Sequence, residues 1–169
     1  GSRPVKADVP ELPDFRTRDI LTMWGTIEDE PFYFMVAHWP SRRGGQQASA
    51  PLREGAAELM RNAADSVRRA NPDVKVVMMG DFNDDAIDDT VMEVLGGTGD
   101  IKKIPEGGYF NPFVALQRAG YGTLAYRDAW NLFDNIVVSE NLATGSTGEL
   151  KLQKAGKKFY AYIFDRNYM

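Results

Sequence analysis

Three short stretches of this 169-residue sequence carry side chains able to act on an anionic group. The first is the junction Gly80-Asp81-Phe82-Asn83, which closes the apolar run Val74-Lys75-Val76-Val77-Met78-Met79. A run of that length, β-branched and bounded by Asn71-Pro72 and Gly80, predicts a buried strand. Gly80 permits a sharp turn where the chain leaves the sheet. Asp81 and Asn83 flank Phe82, so alternation puts the two polar side chains on one face and the aromatic ring in the core. A carboxylate and a carboxamide so placed can hold a water or a metal ion together with a phosphate oxygen. The same spacing also forms an Asx-turn that caps the strand.

The second stretch, Ala37-His38-Trp39-Pro40-Ser41-Arg42-Arg43-Gly44-Gly45, follows the strand-like Phe32-Tyr33-Phe34-Met35-Val36. His38 is the only histidine in the chain. A strand-end histidine is commonly a satisfied core residue, and paired arginines are commonly a solvated surface. Together, an imidazole and two guanidinium forks in one loop suit a phosphate, which makes Arg42, Arg43 and Asn83 candidate phosphate ligands. The third stretch is Asn131-Leu132-Phe133-Asp134-Asn135-Ile136-Val137-Val138-Ser139. Alternation sets Asp134 with Ile136 and Val138, opposite Phe133 and Val137. If the Asp134 face is buried, its carboxylate needs a partner; otherwise this is an edge strand with Asp134 in solvent.

The elements that must position these residues follow from periodicity. Arg18 to Ile27 reads as a strand, Glu28-Asp29-Glu30 as a polar turn, and 31–38 as the next strand. Leu52, Ala56, Leu59, Met60, Ala63, Ala64 and Val67 recur every three or four residues, which predicts an amphipathic helix over 50–70. Ser49 is its expected N-cap and Asn71-Pro72 its stop. Shorter helices are expected over 88–95 and 111–119, and strands near 121–126, 133–139 and 149–154. Pro4, Pro10 and Pro13 make residues 3–14 an extended lead-in. The fold class expected is α/β (α+β), a mostly antiparallel sheet covered on one face by the 50–70 helix.

In order, His-Trp-Pro-Ser, Gly-Asp-Phe-Asn and Phe-Asp-Asn-Ile-Val-Val-Ser at three strand ends resemble the endonuclease/exonuclease/phosphatase superfamily, from Phe15 onward. That group includes pancreatic-type deoxyribonucleases, abasic-site endonucleases, sphingomyelinases and inositol-polyphosphate phosphatases, and Tyr121-Gly122-Thr123-Leu124-Ala125-Tyr126-Arg127 looks like its bacterial members. The resemblance implies half of a four-layer α/β/β/α sandwich and metal-dependent hydrolysis of a phosphodiester or phosphomonoester by an in-line water. It implies that His38 contacts the scissile phosphate and that Asp81 orients or deprotonates the water and shares in metal binding. Asn83 would hydrogen-bond a phosphate oxygen, and Asp134 would orient a second histidine. The implied cofactor is Mg²⁺, or Mn²⁺ or Ca²⁺. The implied partner is a nucleic acid, a nucleotide or a phospholipid head group.

The family pattern also has an N-terminal Asn, a metal-binding Glu and a closing Ser-Asp-His triplet that have no match here. Gly1-Ser2 reads as an expression scar to be excluded from fold reasoning, and the rest as a partial domain, inactive by itself. Removing the N-terminal strands would bare an apolar sheet face, so self-association or the remainder of the enzyme is expected to cover it.

Composition bounds the alternatives. A hydrophobic content of 43% supports a core. No apolar run nears the ~20 residues that span a bilayer, and the absence of cysteine excludes disulfides and thiolate metal sites. A net charge of −4 argues against broad electrostatic binding to nucleic acid, although bound cations or a local arginine patch can offset it. Asp81, Asn83 and Asp85 begin like a calcium-binding loop, but its sixth and twelfth positions are Ala86 and Met92 where Gly and Glu are needed. A family domain that has lost catalysis and serves as a scaffold is the second alternative.

Overall fold

Two hairpins and one long crossover explain most of the architecture. The computed structural model describes residues 1–6, 17–146 and 148–164. In chain order the elements are β1 (Ser2–Val5), β2 (Ile20–Ile27), β3 (Glu30–His38), α1 (Gln46–Ala70) and β4 (Lys75–Asp81). A π-helical turn at Thr90–Val94 precedes β5 (Gly97–Thr98), and a 3₁₀ turn at Ile101–Lys103 precedes β6 (Tyr109–Phe110). Then come α2 (Phe113–Arg118), β7 (Leu124–Tyr126), β8 (Ala129–Asn131), β9 (Asp134–Ser139) and α3 (Glu140–Thr144).

Seven strands form one sheet in the order β1-β2-β3-β4-β9-β6-β5, and β7-β8 form a separate ribbon. Within the large sheet β3–β4 and β5–β6 are parallel and the remaining four pairings antiparallel. The β2–β3 turn uses Glu28 and Asp29 at φ 49° and 67°, and the β7–β8 turn uses Arg127 and Asp128 at φ 48° and 61°. Two consecutive left-handed residues match the twist of a tight hairpin. Parallel pairing of β3 with β4 instead needs a crossover, which α1 provides.

Helix α1 lies on one face of the sheet. Ala56, Ala57, Met60 and Ala64 pack there against Tyr33, Met35, Val76, Met78 and Val137. The opposite face has a smaller cluster of Phe32, Val77, Phe110, Val138 and Ala143, partly covered by Leu150, Leu152 and Tyr160. Further along it, Leu21, Met23, Val36 and Ile136 stay exposed, from 40% at Ile136 to 55% at Leu21. The expected mixed α/β fold with a mostly antiparallel sheet and its long helix on one face is therefore present. No helix among the described residues is long and apolar enough to cross a membrane.

Several local expectations differ. Helix α1 starts at Gln46 behind Gly45, whose φ of 113° suits glycine, and Ser49 is not the N-cap. Ser49 sits inside the first turn and its hydroxyl donates to the Gly45 carbonyl at 2.7 Å. Ser49 and Arg53 lie on the buried face, and Leu52, counted in the apolar stripe, is 37% exposed. The 88–95 helix is a single π turn, with the Leu95 N–H donating to the Thr90 carbonyl. Residues 149–154 form no strand. Ser2, set aside as a scar, pairs with Met23 in β1, and the Gly1 ammonium donates to the Trp24 carbonyl at 2.8 Å. The extended lead-in over 3–14 is described only through Lys6.

Candidate functional site

Register brings the three sequence signals together. His38 is the cross-strand partner of Asp81 in the parallel β3–β4 pair, and Asp81 is the partner of Asp134 in the antiparallel β4–β9 pair. The three side chains thus form a row across adjacent strands at one end of the sheet, on the face away from α1. Gly80 makes this approach possible. At its φ of 140° a Cβ would lie 1.8 Å from the Ala37 carbonyl oxygen, so no other residue fits there without moving β3 from β4.

The row is open and loosely coupled. His38 Nε2 lies 3.6 Å from Asp81 Oδ2, with the two side chains 46% and 38% exposed. That separation is too long for a hydrogen bond. Like charges directly opposite on neighbouring strands, as at Asp81 and Asp134, disfavour the fold. A bound cation or a proton relieves that repulsion. Asp134 is exposed, yet β9 lies in the sheet interior between β4 and β6, so neither the buried-face nor the edge-strand expectation holds. The buried face of β9 carries Asn135 and Val137.

Asn83 forms the Asx-turn that its spacing allowed. Its φ is 51°, and its N–H donates to Asp81 Oδ1 at 2.9 Å, closing an Asx-turn. Its Nδ2 donates to the Trp39 carbonyl at 2.9 Å. An amide nitrogen carries two protons, so a second remains for a ligand oxygen. Beneath the row Trp39 stacks on Phe82 at 4.1 Å, both rings fully buried. This is the core position expected for Phe82.

The two arginines diverge. Arg42 turns inward: its Nε donates to the Asn83 carbonyl at 2.8 Å, and Nη2 donates to Asp88 Oδ2 at 2.7 Å. Asp84 Oδ1 is 3.2 Å from the same nitrogen, and the guanidinium lies 4.5 Å from the Phe133 ring centre. Arg42 is therefore not the free phosphate fork that its sequence position suggested. Arg43 is exposed and, with Arg18, Thr17, Pro40 and Ser41, lines an open pocket of about 620 Å³.

Behind the row lies a layer that sequence reasoning missed. Arg53, fully buried on α1, sets its Nε 2.7 Å from Asp84 Oδ2. That contact is ionic, since neither Arg53 Nε nor Asp84 Oδ1 has an aligned hydrogen-bond partner. Arg53 also donates to the Ser49 hydroxyl and the Gln46 carbonyl. Asp85 accepts from the Leu132 N–H at 2.6 Å, and Asp88 accepts from the Asp85 N–H at 2.9 Å. Burial pushes the Asp88 carboxyl above its usual range. The available signal was Ser49 and Arg53, polar residues four apart inside an otherwise apolar stripe. Among the described residues no group of three or more His, Cys, Asp or Glu is arranged to hold a metal ion. The described residues by themselves therefore do not assemble the divalent-cation site that the resemblance implies.

The family model described as Endonuclease/Exonuclease/phosphatase family matches residues 1–169. The chain belongs to that family. Its fold is the sheet-dominated α/β arrangement of the family's deoxyribonuclease-I-like members. Among solved structures, humanized D. rerio TDP2 superposes with a TM-score of 0.55 at 17% identity, over 86% of this chain and 52% of that one. Truncated Caenorhabditis elegans TDP2 gives 0.52 at 16% identity, over 74% and 47%. D. rerio TDP2 in complex with a single-strand DNA product gives 0.51 at 18% identity, over 82% and 52%. This family member thus spans about half the length of these structures. No curated protein matches it.

Proposed function

We propose that this chain contributes the His38–Asp81–Asn83–Asp134 part of a phosphoester hydrolase site, with a phosphodiester as the favoured substrate class. The observation that carries the reading is the row of His38, Asp81 and Asp134 across three adjacent strand ends, in a chain of this family. The D. rerio TDP2 structure holds a DNA product, which makes nucleic acid the first substrate to try, ahead of nucleotides and phospholipid head groups.

In this reading Asp81 orients a water and takes up its proton as the oxygen attacks phosphorus. His38 and the second Nδ2 proton of Asn83 donate to phosphate oxygens, where negative charge grows in the transition state. Asp134 orients a basic group supplied from outside this chain. Arg43 draws a flanking phosphate toward the row, and Arg42 stays behind it. A divalent cation (Mg²⁺, Mn²⁺ or Ca²⁺) would neutralise phosphate oxygens. Asp81 would supply one of its ligands, and the others would come from groups outside the described residues.

The exposed row of Leu21, Met23, Val36 and Ile136 supports a second part of the reading: the remaining half of the enzyme, or a second copy, packs on that face. The isolated 169-residue chain is then nearly inert, while a full-length protein is active. Plasmid nicking and bis-p-nitrophenyl phosphate hydrolysis, run on both forms with and without EDTA, test this. EDTA-sensitive activity in the full-length form alone is expected, lost by about 10²- to 10⁴-fold in His38→Ala and Asp81→Ala. Strong turnover by the short chain overturns the requirement for the rest of the enzyme. Full-length activity untouched by those substitutions supports the scaffold alternative for this half. Sedimentation showing a monomer of 18.9 kDa without a second chain counts against self-association.

A further inference from the structure

Arg42 touches all three loops that carry the proposed catalytic side chains. It belongs to the loop after β3, four residues beyond His38. Its Nε holds the main-chain carbonyl of Asn83 at 2.8 Å, and its Nη2 holds Asp88 at 2.7 Å, both in the segment after β4. Its guanidinium plane lies against Phe133, the residue before Asp134, at 4.5 Å. Asp85 closes the ring by accepting from the Leu132 N–H at 2.6 Å. The Phe133 carbonyl accepts from the Phe82 N–H at 2.8 Å.

The residue held most directly is the strained one. Asn83 is at φ 51°, a region that non-glycine residues seldom occupy and that persists when the surroundings over-determine it. The Arg42 fork fixes the Asn83 carbonyl, the Asx-turn fixes its N–H, and the Trp39 carbonyl fixes its side chain. Only 21% of the Arg42 side chain is exposed, and a carbonyl and carboxylates already occupy its Nε and Nη2. A bidentate grip on a phosphate through that edge of the fork would require displacing them.

We infer that Arg42 is a positioning residue: it sets the geometry of Asn83 relative to His38 and Asp134 and does not bind the phosphate. The inference builds on the proposed hydrolase site, but it concerns a geometry that can be measured without turnover. Lysine keeps the charge of Arg42 but brings its donors to a single nitrogen, so it loses the two spaced donors that reach the Asn83 carbonyl and Asp88 in their present positions.

In the full-length protein, Arg42→Lys should therefore lower kcat about 10- to 100-fold with KM within about twofold, the scale expected when a reacting group is misplaced by an ångström or less. Asp88→Asn, which weakens one arm of the clamp and leaves Arg42 intact, should lower kcat less and also spare KM. Because His38 is the only histidine, its ring proton resonances in the 169-residue chain are unambiguous. In Arg42→Lys they should broaden and shift while the thermal midpoint stays above the measuring temperature. A raised KM at unchanged kcat would overturn the inference in favour of a phosphate ligand. A lowered midpoint with wild-type His38 resonances and kcat would overturn it in favour of a purely structural ion pair. If no phosphoester is turned over, the proposed function fails while the His38 resonances still decide the clamp.

Discussion

The front and back of the candidate site use the same residue types in opposite ways. In front, His38 and Asp81 are more than a third exposed and 3.6 Å apart, with Asp134 beside them. Behind, Arg53 and Asp84 are nearly inaccessible and 2.7 Å apart, and Arg42 contacts three carboxylates. The back layer's charges already have partners within the chain. The front layer carries a like-charge pair that only a ligand, a cation or a proton relieves. Natural sites commonly hold such unrelieved charge where function needs it, at a cost in stability.

Arg53→Met is the harshest way to break that contrast. It leaves the Asp84 carboxylate buried without its closest cation, and such one-sided removal costs about 3–5 kcal/mol. A large drop in urea midpoint is expected; a change below about 1 kcal/mol would mean that the back layer is no better satisfied than the front.

Asp81→Asn should act in the opposite direction on stability. The amide keeps the oxygen that accepts the Asn83 N–H and removes the repulsion across to Asp134. A gain of about 0.2–1 kcal/mol is expected by thermal melting, together with loss of hydrolysis. A loss like that of Arg53→Met would erase the distinction between the layers.

The smallest expected effect tests a third charged pair, at the far end of the sheet. Buried Lys75 pairs with Glu30, and that hydrogen bond, with a second from the Leu150 N–H, holds the Glu30 carboxyl below its ordinary value of 4.5. A lowered folded value means that the pair's stabilisation is present above 4.5 and lost as pH falls through the folded value. Glu30→Gln should therefore melt below wild type at neutral pH, and the gap should close in acid. A gap that stays unchanged as the pH falls well below 4.5 would assign the effect to packing.

Much of this molecule was legible from sequence. The apolar run before Gly80, the alternation before His38 and the three- and four-residue stripe of α1 are local patterns. Local periodicity determines which face of an element is apolar. Those patterns, with three short motifs, were enough to name the family that the chain belongs to and to nominate His38, Asp81, Asn83 and Asp134 as candidates.

What they could not decide was the partner each charge would find. Arg42 and Arg43 are neighbours of equal type, yet one is clamped among Asp84, Asp85 and Asp88 and the other lines an open pocket. Arg53, which no sequence motif singled out, lies on the buried face of α1 against Asp84. Asp134 looked like either an edge residue or a buried charge until β4 and β6 closed on both sides of its strand. Each outcome depends on contacts between residues far apart in the chain. Spacing along a sequence sets which way a side chain points, and only the packed fold sets what it meets there.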